Sequence, residues 1–314
     1  MCNALLGLHH VTAIVGEPQR NVDFYEGLLG LRLIKKTVNF DDPSTYHLYF
    51  GNGDGSPGTI LTFFPWPGAQ RGRRGSGQAT AIALRVPDDS LRFWRARLHA
   101  YGVAFTETAP RFGEPVLSFT DHDGLQIELI AGADGGDGWG GGTVAAEQAV
   151  RRMHSVTLTE AGYENTADLL TETMGFHAVG EEGGRFRYAA KDGSAGALVD
   201  VICLPEAPRG HIAVGTVHHV AWRAADDAAQ AQWHETLARQ NHNVSPIMDR
   251  TYFHSIYFRE PGGVLFEIAT DPPGFAIDEP AAELGTHLML PPWLEPRRAD
   301  LEQTLTPIHL PEGR

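Results

Sequence analysis

At 314 residues the chain is long enough for two ordinary domains or one large one, and its 42% hydrophobic, 20% charged composition is that of a soluble globular protein. A net charge of −14 argues against nucleic-acid binding, which needs surplus Lys and Arg, and the one basic run, Arg71-Gly72-Arg73-Arg74, reads as a solvated loop. Two cysteines make no disulfide framework or Cys-based zinc motif, and without a signal-like start or a long apolar run the chain reads as cytoplasmic, with no membrane partner.

Four successive segments share one order: an apolar strand, an amphipathic helix, then strands with glycine-rich turns. The first opens on Leu8-His9-His10-Val11-Thr12-Ala13-Ile14, and its helix carries an apolar stripe of Val22, Tyr25 and Leu29 that stops at Gly30. Its last strand lies near Thr59-Ile60-Leu61-Thr62-Phe63. The second opens at Ala79-Thr80-Ala81-Ile82, carries the stripe Leu91, Trp94 and Leu98, stops at Gly102 and ends on Leu125-Gln126-Ile127-Glu128-Leu129-Ile130. The glycine-rich stretch Gly132–Gly142 reads as a linker.

The third segment opens at Met153-His154-Ser155-Val156, has its helix stop at Gly175 and ends near Leu198-Val199-Asp200-Val201-Ile202. The fourth opens at Val217-His218-His219-Val220, is striped by Trp233 and Leu237, exits its helix at Asn241-His242-Asn243 and ends at Val264-Leu265-Phe266-Glu267-Ile268. After Asp271 the periodicity fades into a Pro-rich tail. The predicted class is α+β: four βαβββ modules in two pairs, over 1–135 and 150–275, with a tail over 276–314 wrapping the outside.

Aligned on their first strands, the modules carry His10, Ala79, Ser155 and His219 at one position. Their last strands align on a glycine four residues earlier: Gly58 leads to Thr62, Gly124 to Glu128, Gly196 to Asp200 and Gly263 to Glu267. The side chains able to ligate a metal at these positions are His10, His219, Glu128, Asp200 and Glu267. Two imidazoles and one carboxylate form the facial triad of non-haem Fe(II) oxygenases, which leaves sites open for substrate and O2. A lone His or Glu on a strand is usually structural. Two His-His pairs at equivalent module starts, with a glutamate closing the fourth, make a shared site the better reading. Neighbours on a regular strand face opposite sides, so one His of each pair can ligate, and residue order leaves open which. Glu128 and Asp200 lack a histidine at the matching position and read as relics of module duplication.

The module is similar to that of the vicinal oxygen chelate superfamily, which includes glyoxalase I, extradiol dioxygenases and fosfomycin-resistance proteins. From end to end the chain resembles its ring-cleaving dioxygenases that open hydroquinones. The stretches that carry this are Leu8-His9-His10-Val11-Thr12, Tyr46-His47-Leu48-Tyr49-Phe50-Gly51-Asn52, Gly72-Arg73-Arg74-Gly75-Ser76-Gly77-Gln78, Val217-His218-His219-Val220-Ala221, Pro261-Gly262-Gly263-Val264-Leu265-Phe266-Glu267 and Leu288-Met289-Leu290-Pro291-Pro292-Trp293-Leu294-Glu295.

The resemblance implies that His10, His219 and Glu267 bind Fe(II). It implies that His9, His218, Arg250 and Tyr257 surround the substrate or the ligands, and that both atoms of O2 enter a small aromatic diol. A homo-oligomer is compatible with it. Catechol-cleaving relatives take both histidines from the C-terminal module pair. Here Ser155 stands at that place, so His10 has to reach the site from the first module. Two other readings compete. A glyoxalase-type isomerase or lyase using Zn, Ni or Mn usually wants a second carboxylate where the first module has Thr62. A non-catalytic small-molecule binding protein usually has only two modules.

Overall fold

The computed structural model describes residues 4–133, 135–190 and 197–311; Gly196, aligned above with the other turn glycines, lies outside them. Each module supplies four strands. The first has β1 (Leu8–Val15), β2 (Arg32–Val38), β3 (Tyr46–Gly51) and β4 (Ile60–Pro65). The second has β5 (Gln78–Val86), β6 (Phe105–Arg111), β7 (Glu114–Thr120) and β8 (Gln126–Ala131). The third has β9 (Arg152–Glu160), β10 (His177–Glu182), β11 (Arg185–Ala189) and β12 (Leu198–Cys203). The fourth has β13 (Thr216–Ala224), β14 (Met248–Asp249), β15 (Phe253–Arg259) and β16 (Leu265–Pro273).

A helical segment follows the first strand of every module. The stripe residues Val22, Tyr25, Leu29, Trp94, Leu98, Trp233 and Leu237 are all buried, because their spacing puts them on the face that covers a sheet. Gly30, Gly102 and Gly175 leave their helices with φ of 71°, 69° and 77°, and Asn241 does the same at 63°. This left-handed turn frees the chain to return to the sheet, and Asn is one of the few side-chain-bearing residues that adopts it readily.

Among the described residues the strands form two eight-stranded sheets, in the orders β14-β15-β16-β13-β1-β4-β3-β2 and β10-β11-β12-β9-β5-β8-β7-β6. Antiparallel pairing of β1 with β13 joins the first module to the fourth, and β5 with β9 joins the second to the third. The division expected from chain order, 1–135 against 150–275, therefore cuts across both sheets. The physical reason is that each module's first strand is almost wholly buried on both faces; all eight residues of β1 are buried. Such a strand must lie in the middle of a sheet, and nothing local specifies which other first strand it meets.

Exposed Glu181 and Glu182 on the edge strand β10 discourage further pairing. At the opposite edge of the other sheet the tail takes that part: Met289 donates its N–H to the Lys36 carbonyl, and Lys35 Nζ lies 2.6 Å from Glu279 and 2.7 Å from Asp278. Among the described residues no helix is long and apolar enough to cross a membrane.

Candidate metal centre

The register between β1 and β13 slips twice. Leu8 faces Trp222 and His10 faces Ala221, which makes His9 an extra residue on β1. Thr12 faces His219 and Ala13 faces Val217, which makes His218 an extra residue on β13. Both His-His pairs thus sit at β-bulges, which re-aim side chains. Regular alternation fails here: Nδ1 of His9 lies 2.9 Å from Nδ1 of His10, and Nδ1 of His218 lies 2.8 Å from Nδ1 of His219. The second sheet repeats the arrangement, with Thr80 and His154 as its extra residues. That register puts Ala81, rather than Ala79, at the place of His10, while Ser155 matches His219. A slip of two keeps side chains on the same face, so the strand pattern alone could not reveal it.

Glu267 is paired with Ala221, the residue opposite His10, and so three ligating atoms converge. The Nε2 atoms of His10 and His219 are 3.3 Å apart. Glu267 Oε2 lies 3.3 Å from the first and 2.9 Å from the second. Among the described residues these three, all buried, form the group that could hold a metal, with ligand atoms within 4.8 Å of one another. Their Nδ1 atoms are engaged by His9 and His218, which turns each Nε2 inward. Ser255 donates its hydroxyl to Glu267 Oε1, while the buried Oε2 lacks a well-formed hydrogen bond among the described residues. Three donors held at about 2.1 Å with right angles between them lie about 3 Å apart. The spacing and the orphaned oxygen fit a divalent first-row ion.

Burial pushes His9 and His218 down to about 3, and the imidazoles of His10 and His219 push the same way, so both stay neutral. Burial acts upward on Glu267 but is outweighed by the two facing imidazoles, which hold its carboxyl well below the usual range.

A cavity of about 300 Å³ opens beside the triad, bordered by His10 and His219, by the polar groups of His47, Tyr49, Arg250 and Tyr257, and by apolar side chains such as Phe64 and Trp66. Tyr257 stands opposite Glu267, and Arg250 Nε donates to its hydroxyl at 3.3 Å. Burial, reinforced by Glu267, raises the Tyr257 hydroxyl and keeps it protonated. Of the four residues expected around the ligands, His218, Arg250 and Tyr257 border this cavity. His9 instead backs onto a second space shared with Tyr252 and Phe275.

His47 and Tyr49 were not singled out from the sequence as site residues, although they sit two apart on one strand face. They lie on a middle strand of the module, away from the first and last strands on which the modules align. In the second sheet, Glu128 is held by Arg111 at 2.6 and 2.9 Å, and Asp200 by Arg187 at 2.7 and 3.0 Å. These carboxylates are thus paired with guanidinium groups from β6 and β11, whereas Glu267 faces imidazoles from two first strands.

Paired modules, curled sheets and a buried His-His-Glu group define a recognisable class. The model of the Glyoxalase/Bleomycin resistance protein/Dioxygenase superfamily matches residues 7–129 and 152–268, and the chain belongs to that superfamily. Within it the chain stands among the ring-cleaving dioxygenases. It is 48% identical to MhqO of Bacillus subtilis (strain 168), named as a ring-cleaving dioxygenase, over 99% of each chain. It is 36% identical to the chlorohydroquinone/hydroquinone 1,2-dioxygenase of Sphingobium indicum over 95% of each chain. A crystal structure of a Bacillus subtilis protein titled as a dioxygenase superposes with a TM-score of 0.95 at 48% identity, covering 99% of both chains.

Proposed function

We propose that the protein is a cytoplasmic, Fe(II)-dependent dioxygenase that opens the ring of hydroquinones with O2. The observation that carries this is the buried two-histidine, one-carboxylate set beside a cavity in the range of small-ligand sites. Similarity to a hydroquinone 1,2-dioxygenase along nearly the whole chain supports the substrate class. His10, His219 and Glu267 would hold the ferrous ion, which supplies the redox chemistry toward O2 that side chains lack.

The chain's own residues do the rest. His9 and His218 fix the orientation of the two ligand imidazoles. Arg250 anchors the Tyr257 hydroxyl, which stays protonated and is a hydrogen-bond donor toward an oxygen anion in the cavity. His218 is neutral and its Nδ1 accepts from the Nδ1–H of the ligand imidazole His219, which leaves its Nε2–H as a donor on a ring that borders the cavity. Phe64 and Trp66 limit water around the ring.

The glyoxalase-type reading is disfavoured by Thr62. Where a second carboxylate would stand, its hydroxyl is 2.8 Å from both Thr12 Oγ1 and His47 Nε2. The test is oxygen uptake by apoprotein reloaded with Fe(II) or Zn(II), with hydroquinone, methylhydroquinone and catechol. Uptake is expected with Fe(II) and a hydroquinone, and none with Zn(II). Anaerobic turnover of a hemithioacetal, with no O2 consumed on any diol, would refute the proposal.

A further inference from the structure

The first and fourth modules are related by a pseudo-two-fold axis through the β1–β13 pair, and the site uses only one side of it. Glu267 lies beside Ala221, two residues after His219; Thr62 lies beside Thr12, two residues after His10. One strand further out, Tyr257 faces Glu267 and Tyr49 faces Thr62. Ser255 bonds Glu267, and its counterpart His47 bonds Thr62. The cavity therefore has two matched walls. One carries the carboxylate; the other carries a neutral chain of hydrogen bonds.

That chain runs Thr12 to Thr62 to His47 to Tyr49, each link 2.8 Å. Burial, with His10 and His219 adding to it, holds His47 well below its ordinary value, so it is a neutral imidazole with one donor and one acceptor nitrogen. Both nitrogens are taken: Nε2 by Thr62 and Nδ1 by the Tyr49 hydroxyl. A phenolic hydroxyl both donates and accepts, so in either tautomer of His47 the Tyr49 oxygen keeps a hydrogen-bonding position for a group in the cavity it lines.

We propose that Tyr49, oriented by His47, binds the substrate hydroxyl remote from the metal ligands and so selects para-diols. The inference rests on the ring-cleaving reading above. In a para-diol the two oxygens lie at opposite ends of the ring, and one oxygen at the triad leaves the other facing the opposite wall. In an ortho-diol both oxygens lie on one edge, and Tyr49 stays without its partner. His47 acts through Tyr49 and is a positioning residue; Tyr49 is the specificity-determining group.

The test is anaerobic binding to Zn(II)-loaded protein, read by quenching of tryptophan fluorescence, since Trp66 borders the cavity. In the unaltered protein hydroquinone is expected to bind about tenfold more tightly than phenol, the worth of one added hydrogen bond. Tyr49→Phe should abolish that ratio by weakening hydroquinone alone. His47→Leu should reduce it, and Tyr257→Phe should keep it. Equal affinities in the unaltered protein would overturn the inference, with no variant needed. So would a ratio that survives Tyr49→Phe at unchanged metal content and melting temperature. A Tyr49-dependent ratio in a protein whose Fe(II) form consumes no O2 with hydroquinone would support the binding role and sink the dioxygenase reading instead.

Discussion

Glu160 closes β9 at a place where the other modules have Val15, Val86 and Ala224, and it is fully buried. Neither of its carboxyl oxygens has a hydrogen-bond partner among the described residues. Nearby Glu260 accepts from the Thr166 hydroxyl at 2.6 Å and from the backbone N–H groups of Gly262 and Val264 at 2.9 and 2.8 Å. Gly262 sits directly against Glu160, where any Cβ would collide with the carboxyl. Burial first, and then the Glu260 charge, push Glu160 up from 4.5 to about 8, with Arg209 opposing. The folded state therefore keeps a proton that the unfolded chain loses above pH 4.5. Stability attached to this proton is whole at low pH, falls as pH rises through that window, and levels off above about pH 8. At about 1.4 kcal/mol per pH unit, the loss at neutral pH is about 3 kcal/mol.

Glu160→Gln keeps the shape and removes the titration. Urea unfolding followed by circular dichroism should show the variant no more than slightly different from the native protein near pH 5, and about 3 kcal/mol or more stable near pH 8, with the same denaturant slope. A difference between the two proteins that is the same at both pH values would refute the reasoning.

Other outcomes follow from the same geometry. Glu267→Ala or His10→Ala should lower metal affinity by more than the roughly 10–100-fold expected from losing a supporting hydrogen bond, as read by metal analysis after dialysis. His218→Ala should fall within that smaller range, and full loss of metal there would argue that His218 is itself a ligand. Glu128→Gln should leave metal content and oxygen uptake unchanged while costing about 3 kcal/mol of stability, because Arg111 loses its two-point partner. A second tightly bound metal per chain would count against this. Chelation should inactivate the enzyme, and Fe(II) with a reductant, but not Zn(II), should restore oxygen uptake.

By itself the sequence determined what depends on residue type and local period. The four modules, their helix stripes and their helix exits at Gly30, Gly102, Gly175 and the run Asn241-His242-Asn243 were all legible, because a helix is set by contacts a few residues apart. Module repetition also narrowed the candidate ligands to Glu267 and one histidine of each His-His pair, and the resemblance pointed to His10 and His219 within them. That the first module meets the fourth followed from the resemblance, but only the tertiary structure decided that they join by direct antiparallel pairing of β1 with β13 in one sheet, because strand pairing across some 200 residues leaves no local trace. It also decided the bulges that bring His9 onto His10 and move the module match from Ala79 to Ala81, since a two-residue slip leaves the alternation intact. The wall of Thr62, His47 and Tyr49 and the arginine partners of Glu128 and Asp200 come from strands one or two places away in a sheet, and a partner across a sheet is chosen by register rather than by sequence neighbourhood.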